Sequence, residues 1–141
     1  MKRNASAHWA GDLKTGKGTI STESGVLSKT QYSFSTRFEN GVGTNPEELI
    51  AAAHAGCFSM AFSGQLGAAG LTAESIDTTA TVTFEKLEAG FTVTESHLVM
   101  KAKVPGATKE AFDTAAGNAK AGCPISRLLN TKITLDAQLV P

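Results

Sequence analysis

Asn45-Pro46-Glu47-Glu48-Leu49-Ile50-Ala51-Ala52-Ala53-His54-Ala55-Gly56-Cys57-Phe58-Ser59-Met60-Ala61-Phe62 is the stretch on which the fold turns. Asn45 is a good helix cap, Pro46 suits the first helical position, and Glu47 and Glu48 stand in the first turn against the positive end of the helix dipole. With Asn45 as cap, Glu48 occupies the third helical position, as in a capping box. From Leu49 to Phe62 the pattern is apolar nearly all round. Such a helix is expected to be buried on most faces, in a core or against a partner subunit. It is expected to end near Gly67 or Gly70.

Upstream the chain reads as strands. A segment near Ala7 to Leu13 leads to a turn at Gly16-Lys17-Gly18, and Thr19 to Leu27 forms a second strand interrupted by Ser24-Gly25. Tyr32, Phe34, Thr36 and Phe38 then alternate with Ser33, Ser35, Arg37 and Glu39, the period of a half-buried strand with Arg37 facing away from Phe34 and Phe38.

Downstream, Ile76, Thr78, Ala80, Val82 and Phe84 alternate, and Glu88-Ala89-Gly90 turns the chain. The return strand changes parity between Phe91 and Val93 on one side and Leu98, Met100, Ala102 and Val104 on the other. A β-bulge between Thr94 and His97 reconciles the halves. Thr108 caps a second helix through Phe112, Ala115, Ala116 and Ala119, which Gly122 and Pro124 break around Cys123. A short helical turn, Ile125 to Asn130, and a last strand through Ile133, Leu135, Ala137 and Leu139 complete the chain. Strands grouped between isolated helices predict an α+β fold with antiparallel sheet. One small sheet cannot cover a helix so apolar, which predicts an intimate homodimer.

Composition narrows the function. The 141 residues fit a single domain, 1–141, and 41% hydrophobic with 18% charged residues exclude a disordered chain or a coiled coil. Thirteen basic against thirteen acidic residues, with no run of Lys or Arg, argue against a nucleic-acid partner. No apolar stretch reads as long enough to cross a bilayer, and Met1 to Trp9 lacks the apolar region of a secretory signal. A cytoplasmic location without membrane association is expected. Two cysteines, Cys57 and Cys123, are too few for a disulfide scaffold, and a permanent bridge is not expected in a reducing compartment. They read as unrelated buried thiols, a redox pair, or part of a metal site.

His54 stands three residues before Cys57, on a similar helix face, so it reads either as a base for that thiol or as a packed, hydrogen-bonded histidine. His8, His54, His97 and the cysteines lack ligand-like pairing, so zinc is not expected. Arg37 reads as a solvent-facing cation paired with a carboxylate. Helix-start chemistry accounts for Glu48 well and for Glu47 only in part.

Thr44-Asn45-Pro46-Glu47-Glu48-Leu49, Cys57 ten residues after Glu47, and Ala121-Gly122-Cys123-Pro124 downstream together resemble the OsmC/Ohr family of thiol peroxidases. His8-Trp9-Ala10-Gly11-Asp12, Ser21-Thr22-Glu23-Ser24-Gly25 and Ile76-Asp77-Thr78-Thr79-Ala80 place the resemblance nearest the osmotically inducible branch, over essentially the whole chain. It implies antiparallel sheets packed around a long buried helix in an intertwined homodimer. It also implies a peroxidase that reduces organic hydroperoxides, and hydrogen peroxide more weakly. Cys57 would be the attacking thiol, Cys123 the resolving thiol, Arg37 the cation that holds the thiolate, and Glu47 the carboxylate that orients Arg37. No metal or flavin is implied; the reductant would be a dihydrolipoyl-type dithiol.

Phe34, Phe38, Phe58, Met60 and Phe62 are candidates for an apolar approach path, and equally for plain core. On one continuous helix Glu47 and Cys57 stand about 15 Å apart along the axis. An arginine hardly links both within one chain, which predicts a composite site with Glu47 of one subunit facing Cys57 of the other. Other readings are a thiol redox sensor or ligand-binding module on the same scaffold, and a structural stress protein with inert thiols.

Overall fold

The computed structural model describes residues 1–141, which pack as two units, Met1–Leu49 and Ile50–Pro141. In the first unit, β1 (Ala5–Ala10), β2 (Lys17–Thr22) and β3 (Thr30–Tyr32) form an antiparallel sheet in that order. The first turn falls earlier than Gly16-Lys17-Gly18, because Asp12 gathers it. Its carboxylate accepts from the N–H groups of Lys14 and Thr15, each at 2.9 Å, and its carbonyl from Gly16 N–H at 2.9 Å. Gly18 lies inside β2 between two aromatic rings. A Cβ there would stand 2.4 Å from the Tyr32 ring and 2.7 Å from the Trp9 ring, so only glycine fits.

The alternation from Tyr32 to Phe38 does not make a strand. The chain leaves β3 at Tyr32 and forms a short helix, α1 (Phe34–Phe38). Ser33 Oγ accepts from Thr36 N–H at 3.4 Å while Thr36 Oγ1 accepts from Ser33 N–H at 2.8 Å, a reciprocal cap that favours the helical turn. Phe34 and Phe38 share a face at a spacing of four in either structure, which is why the pattern reads both ways. Their rings meet at 4.6 Å between centroids, tilted by 36°.

The long helix α2 (Pro46–Ala68) matches its expected limits. Glu48 N–H donates to Asn45 Oδ1 at 2.8 Å, and Thr44 Oγ1 donates to Glu48 Oε1 at 2.6 Å, so the start is capped as its residues require. In the single chain α2 buries one stripe, His54, Phe58, Phe62 and Leu66, four residues apart, and leaves Ala52, Ala53, Gly56 and Met60 exposed. Its 23 residues are long and apolar enough to cross a bilayer by length and composition, contrary to the expectation from sequence. The buried stripe nevertheless belongs to a protein core.

That core lies in the second unit, where the α2 stripe meets Leu98, Met100 and Ala102 of β5 and Phe112, Ala115, Ala116 and Ala119 of α3. The antiparallel pair β4 (Ser75–Leu87) and β5 (Gly90–Lys103) turns at Glu88-Ala89. Thr83 pairs with Glu95 and Phe84 with Val93, leaving Thr94 as the extra residue of a bulge at the edge of the expected window. Beyond β5 come α3 (Lys109–Gly122), α4 (Pro124–Leu128) and β6 (Lys132–Val140).

β6 joins β5 in parallel, so this sheet is mixed where an antiparallel one was expected. The two helices between the strands carry the chain back to the starting edge, as a parallel pair requires. Thr108 caps α3, its hydroxyl accepting from Ala111 N–H at 3.1 Å. Thr108→Ala is expected to lower stability by about 1 kcal/mol in urea unfolding, because that N–H loses its partner.

Candidate active site

Cys123 sits at the junction of two helices for local reasons. Its N–H closes α3 on the carbonyl of Ala119 at 2.9 Å. Pro124 then opens α4 and disfavours a helical backbone at the residue before it, and Cys123 has ψ 130°. The chain turns there, and the sulfur receives the N–H of Ser126 at 3.4 Å. Cys123 is fully buried and Cys57, in the middle of α2, is half-buried. Although 66 residues separate them, the two sulfurs stand 2.9 Å apart as free thiols. Of the three sequence readings, this geometry favours the redox pair.

The thiols divide their charge unequally. Burial pushes Cys57 up, and so do the hydrogen bond and the charge of Cys123, with only the Ile125 N–H opposing. Burial also acts to raise Cys123, but the Cys57 thiol, the N–H and hydroxyl of Ser126, and the Ile125 N–H outweigh it and bring Cys123 down. One proton leaves the pair readily, the second reluctantly. The local groups hold the first charge at Cys123, so a nucleophilic Cys57 calls for a cation beyond this set.

The second expected pairing is made within the first unit. Arg37 Nη2 donates to Glu47 Oε1 at 2.7 Å, and Arg37 Nε donates to Oε1 at 3.1 Å and Oε2 at 3.2 Å. This fork fixes the guanidinium plane, which also lies 5.5 Å from the Phe38 ring centroid. Glu47 is thus more than helix-start chemistry. Asn45 supports the arrangement by donating from Nδ2 to the Thr36 carbonyl at 3.1 Å, tying the start of α2 to α1. The fork borders a hollow of about 290 Å³ whose walls include Trp9, Leu13, Tyr32, Phe34 and Phe38.

The five candidates for an apolar path separate. Phe34 and Phe38 line the hollow, Phe58 and Phe62 are fully buried core, and Met60 is exposed. Trp9, Leu13 and Tyr32 come from the strands and their turn, and no sequence spacing pointed to them. His54 does not pair with Cys57: its ring nitrogens meet Ser96 Oγ at 2.7 Å and Ser126 Oγ at 2.8 Å. No three His, Cys, Asp or Glu side chains converge as a metal would require.

Residues 38–138 match the family described as OsmC-like protein. The chain is 57% identical over 139 residues to peroxiredoxin OsmC of Escherichia coli K12, an alignment covering 99% of this chain and 97% of that one. Its fold is shared by an OsmC-like protein of unknown function from Vibrio cholerae, with TM-score 0.76 and 18% identity over 97% of this chain and 99% of the other. It is likewise shared by an organic hydroperoxide resistance protein OsmC from Legionella pneumophila, with TM-score 0.71 and 22% identity over 100% and 98%.

Proposed function

This chain belongs to the OsmC-like protein family, and from that premise we propose that it is a thiol-dependent peroxidase acting through Cys57 and Cys123. The observation that carries the reading is the 2.9 Å approach of two free thiols from distant parts of the sequence. The Cys57 thiolate attacks one peroxide oxygen; the S–O bond forms, the O–O bond breaks, and the alkoxide departs and is protonated to the alcohol. Cys57 becomes a sulfenic acid, and Cys123 displaces its hydroxyl as water to form the disulfide. An external dithiol, of dihydrolipoyl type, returns both thiols.

Arg37 is the cation this chemistry calls for. A guanidinium beside Cys57 would offset the burial that pushes its thiol up, and would stabilise the charge developing on the alkoxide. Glu47 keeps the guanidinium in one orientation. Glu47 and Cys57 are ten residues apart on the unbroken helix α2, which supports a composite site with Arg37 and Glu47 of one subunit serving Cys57 of another. The exposed apolar face of α2 supports the same homodimer. The aromatic hollow beside Arg37 supports organic hydroperoxides as the preferred substrates, with hydrogen peroxide weaker.

Arg37→Lys is expected to slow Cys57 oxidation by a factor of about 10² to 10³, because an ammonium keeps the charge but loses the fork on Glu47. Stopped-flow measurement of the first oxidation step checks this. The function itself is tested by supplying cumene hydroperoxide with dihydrolipoamide and counting turnovers. Many turnovers per protein are expected. A single stoichiometric oxidation that the dithiol does not recycle would make the protein a redox sensor instead.

A further inference from the structure

α2 buries one stripe, His54, Phe58, Phe62 and Leu66, and its first member alone is polar. An apolar residue there would continue the stripe into the core. The chain instead buries an imidazole completely and supplies it with two buried hydroxyls, Ser96 and Ser126. The ring nitrogens meet Ser96 Oγ of β5 at 2.7 Å and Ser126 Oγ of α4 at 2.8 Å. A hydroxyl both donates and accepts, so either tautomer of the neutral ring is satisfied at both ends. Such bonds add little to stability over an apolar filling of the same shape; what they add is a fixed direction and distance.

What this network holds is the corner that carries Cys123. α4 is five residues long and begins where Cys123 turns the chain out of α3. Its own bonds are local: Ser126 N–H to Cys123 Sγ at 3.4 Å, Arg127 N–H to the Cys123 carbonyl at 3.0 Å, and Leu129 N–H to the Ile125 carbonyl at 3.0 Å. They set the shape of the turn and leave its distance from α2 open. Two hydrogen bonds between side chains span that distance. One is the thiol pair, Cys123 Sγ to Cys57 Sγ at 2.9 Å, and the other joins His54 to Ser126. His54 and Cys57 share a face of α2, one turn apart, and Cys123 and Ser126 are likewise one turn apart at the start of α4. Oxidation of Cys57 removes the thiol pair and leaves the bond between His54 and Ser126 in place.

We propose that the His54–Ser126 bond tethers the Cys123 corner to α2 while Cys57 is a sulfenic acid, which makes His54 a positioning residue for disulfide formation. Ser96 holds the ring from its other nitrogen, so the imidazole is a fixed strut between β5 and α4. A disulfide forms only when the two Cα atoms stand within about 7 Å and the side chains point at one another. Misplacement by about 1 Å costs a reaction of this kind about a hundredfold in rate. In the step itself the Cys123 sulfur attacks the Cys57 sulfur, the S–S bond forms and the Cys57 S–O bond breaks. The departing hydroxide takes up the proton that Cys123 gives up and leaves as water. His54 neither gains nor loses a proton. Burial holds the ring neutral, and the surroundings of Cys123 already bring its thiol down, so the step does not call on His54 as a base. The tether rests on the peroxidase reading for the sulfenic acid it serves.

Variants of the full-length protein separate the two ends of the ring. His54→Gln carries an amide out to the position of Nε2 and still bonds Ser126. His54→Asn stops at the position of Nδ1 and reaches only Ser96, and Ser126→Ala deletes the hydroxyl beside an intact His54. In a single turnover with one equivalent of cumene hydroperoxide, quenched samples read by mass give the rate of disulfide formation relative to that of Cys57 oxidation. In a second measurement, without peroxide, equilibration against mixtures of dihydrolipoamide and lipoamide gives the stability of the Cys57–Cys123 disulfide. Ser126→Ala and His54→Asn are expected to lower the rate ratio by a factor of about 10 to 100. They are also expected to lower the disulfide's equilibrium constant about tenfold, a rise of about 30 mV in potential, because a loose corner must be ordered before the bond closes. His54→Gln is expected to match wild type in both, although it has no basic nitrogen. Wild-type values in Ser126→Ala would overturn the tether, and that variant keeps the test decisive if a His54 substitution fails to fold. So would equal losses in His54→Gln and His54→Asn, the mark of a ring needed for packing or as a base. A wild type whose thiols survive the peroxide would overturn the peroxidase reading, while the equilibrium with dithiol reads the tether on its own.

Discussion

Cys57→Ser is expected to reduce hydroperoxide consumption to the uncatalysed background, including the first turnover. A serine hydroxyl is not appreciably ionised at neutral pH, whereas a cysteine thiolate is both accessible and strongly nucleophilic. The substitution changes one atom in a half-buried position of α2, so the fold has little reason to move. Cys123→Ser should behave differently. Its Cys57 should still take one oxygen from the peroxide and yield one equivalent of alcohol, then stop as a sulfenic acid that dimedone traps. Since local groups hold the easier charge at Cys123, the opposite pattern is conceivable on electrostatics alone. If Cys123→Ser loses the first turnover and Cys57→Ser keeps it, the two roles are reversed.

Phe62→Ala is expected to cost about 3 to 5 kcal/mol in urea unfolding. Phe62 is fully buried, with its ring against Phe112 edge to face at 5.3 Å between centroids and parallel to Phe58 at 6.2 Å. Besides Phe112, the core positions of α3 are alanines, Ala115, Ala116 and Ala119, whose single methyl groups cannot reach into the space a phenyl ring leaves. The cavity therefore stays open, and its cost adds to the lost transfer energy. Against a total stability of about 5 to 15 kcal/mol for a domain, this single change removes a large share. A loss below 1 kcal/mol would mean that α2 and α3 close on one another, contrary to the packing described.

What was legible in the sequence follows from how local each signal is. The start of α2 is readable because Asn45 and Pro46 act on backbone groups within one turn; Asn45 caps the Glu48 N–H, while the Glu48 carboxylate takes the Thr44 hydroxyl in place of the capping-box backbone N–H. Thr108 as a cap and Cys123 at a helix break were readable for the same reason. The Thr94 bulge was signalled by a change of parity along one strand. α1 was misread because the Phe34 to Phe38 spacing serves both structures, while the deciding contact was the small Ser33–Thr36 cap.

Non-local features had no such signal. The direction of β6 depends on which edge of the sheet is free after two helices have crossed, and side-chain alternation is the same either way. The approach of Cys57 to Cys123 spans 66 residues, and spacing alone left it as one of three readings. The place of His54 on the Cys57 helix leaves open base or packed histidine. Its actual partners, Ser96 and Ser126, lie 42 and 72 residues away. Serines are too common to single out by pattern. Arg37 and Glu47 were reached through family resemblance, and their fork gives that pairing a physical form within the chain.

The central claim is that peroxide oxidises Cys57 first and that Cys123 then captures it. Rapid quenching of the reduced protein with one equivalent of cumene hydroperoxide, followed by dimedone labelling and peptide mass analysis, tests it most directly. The account predicts an early dimedone adduct on Cys57 alone, its decay into a Cys57–Cys123 disulfide, and one equivalent of cumyl alcohol formed in step with the first event. An early adduct on Cys123, or oxidation of neither thiol while the peroxide persists, would contradict it.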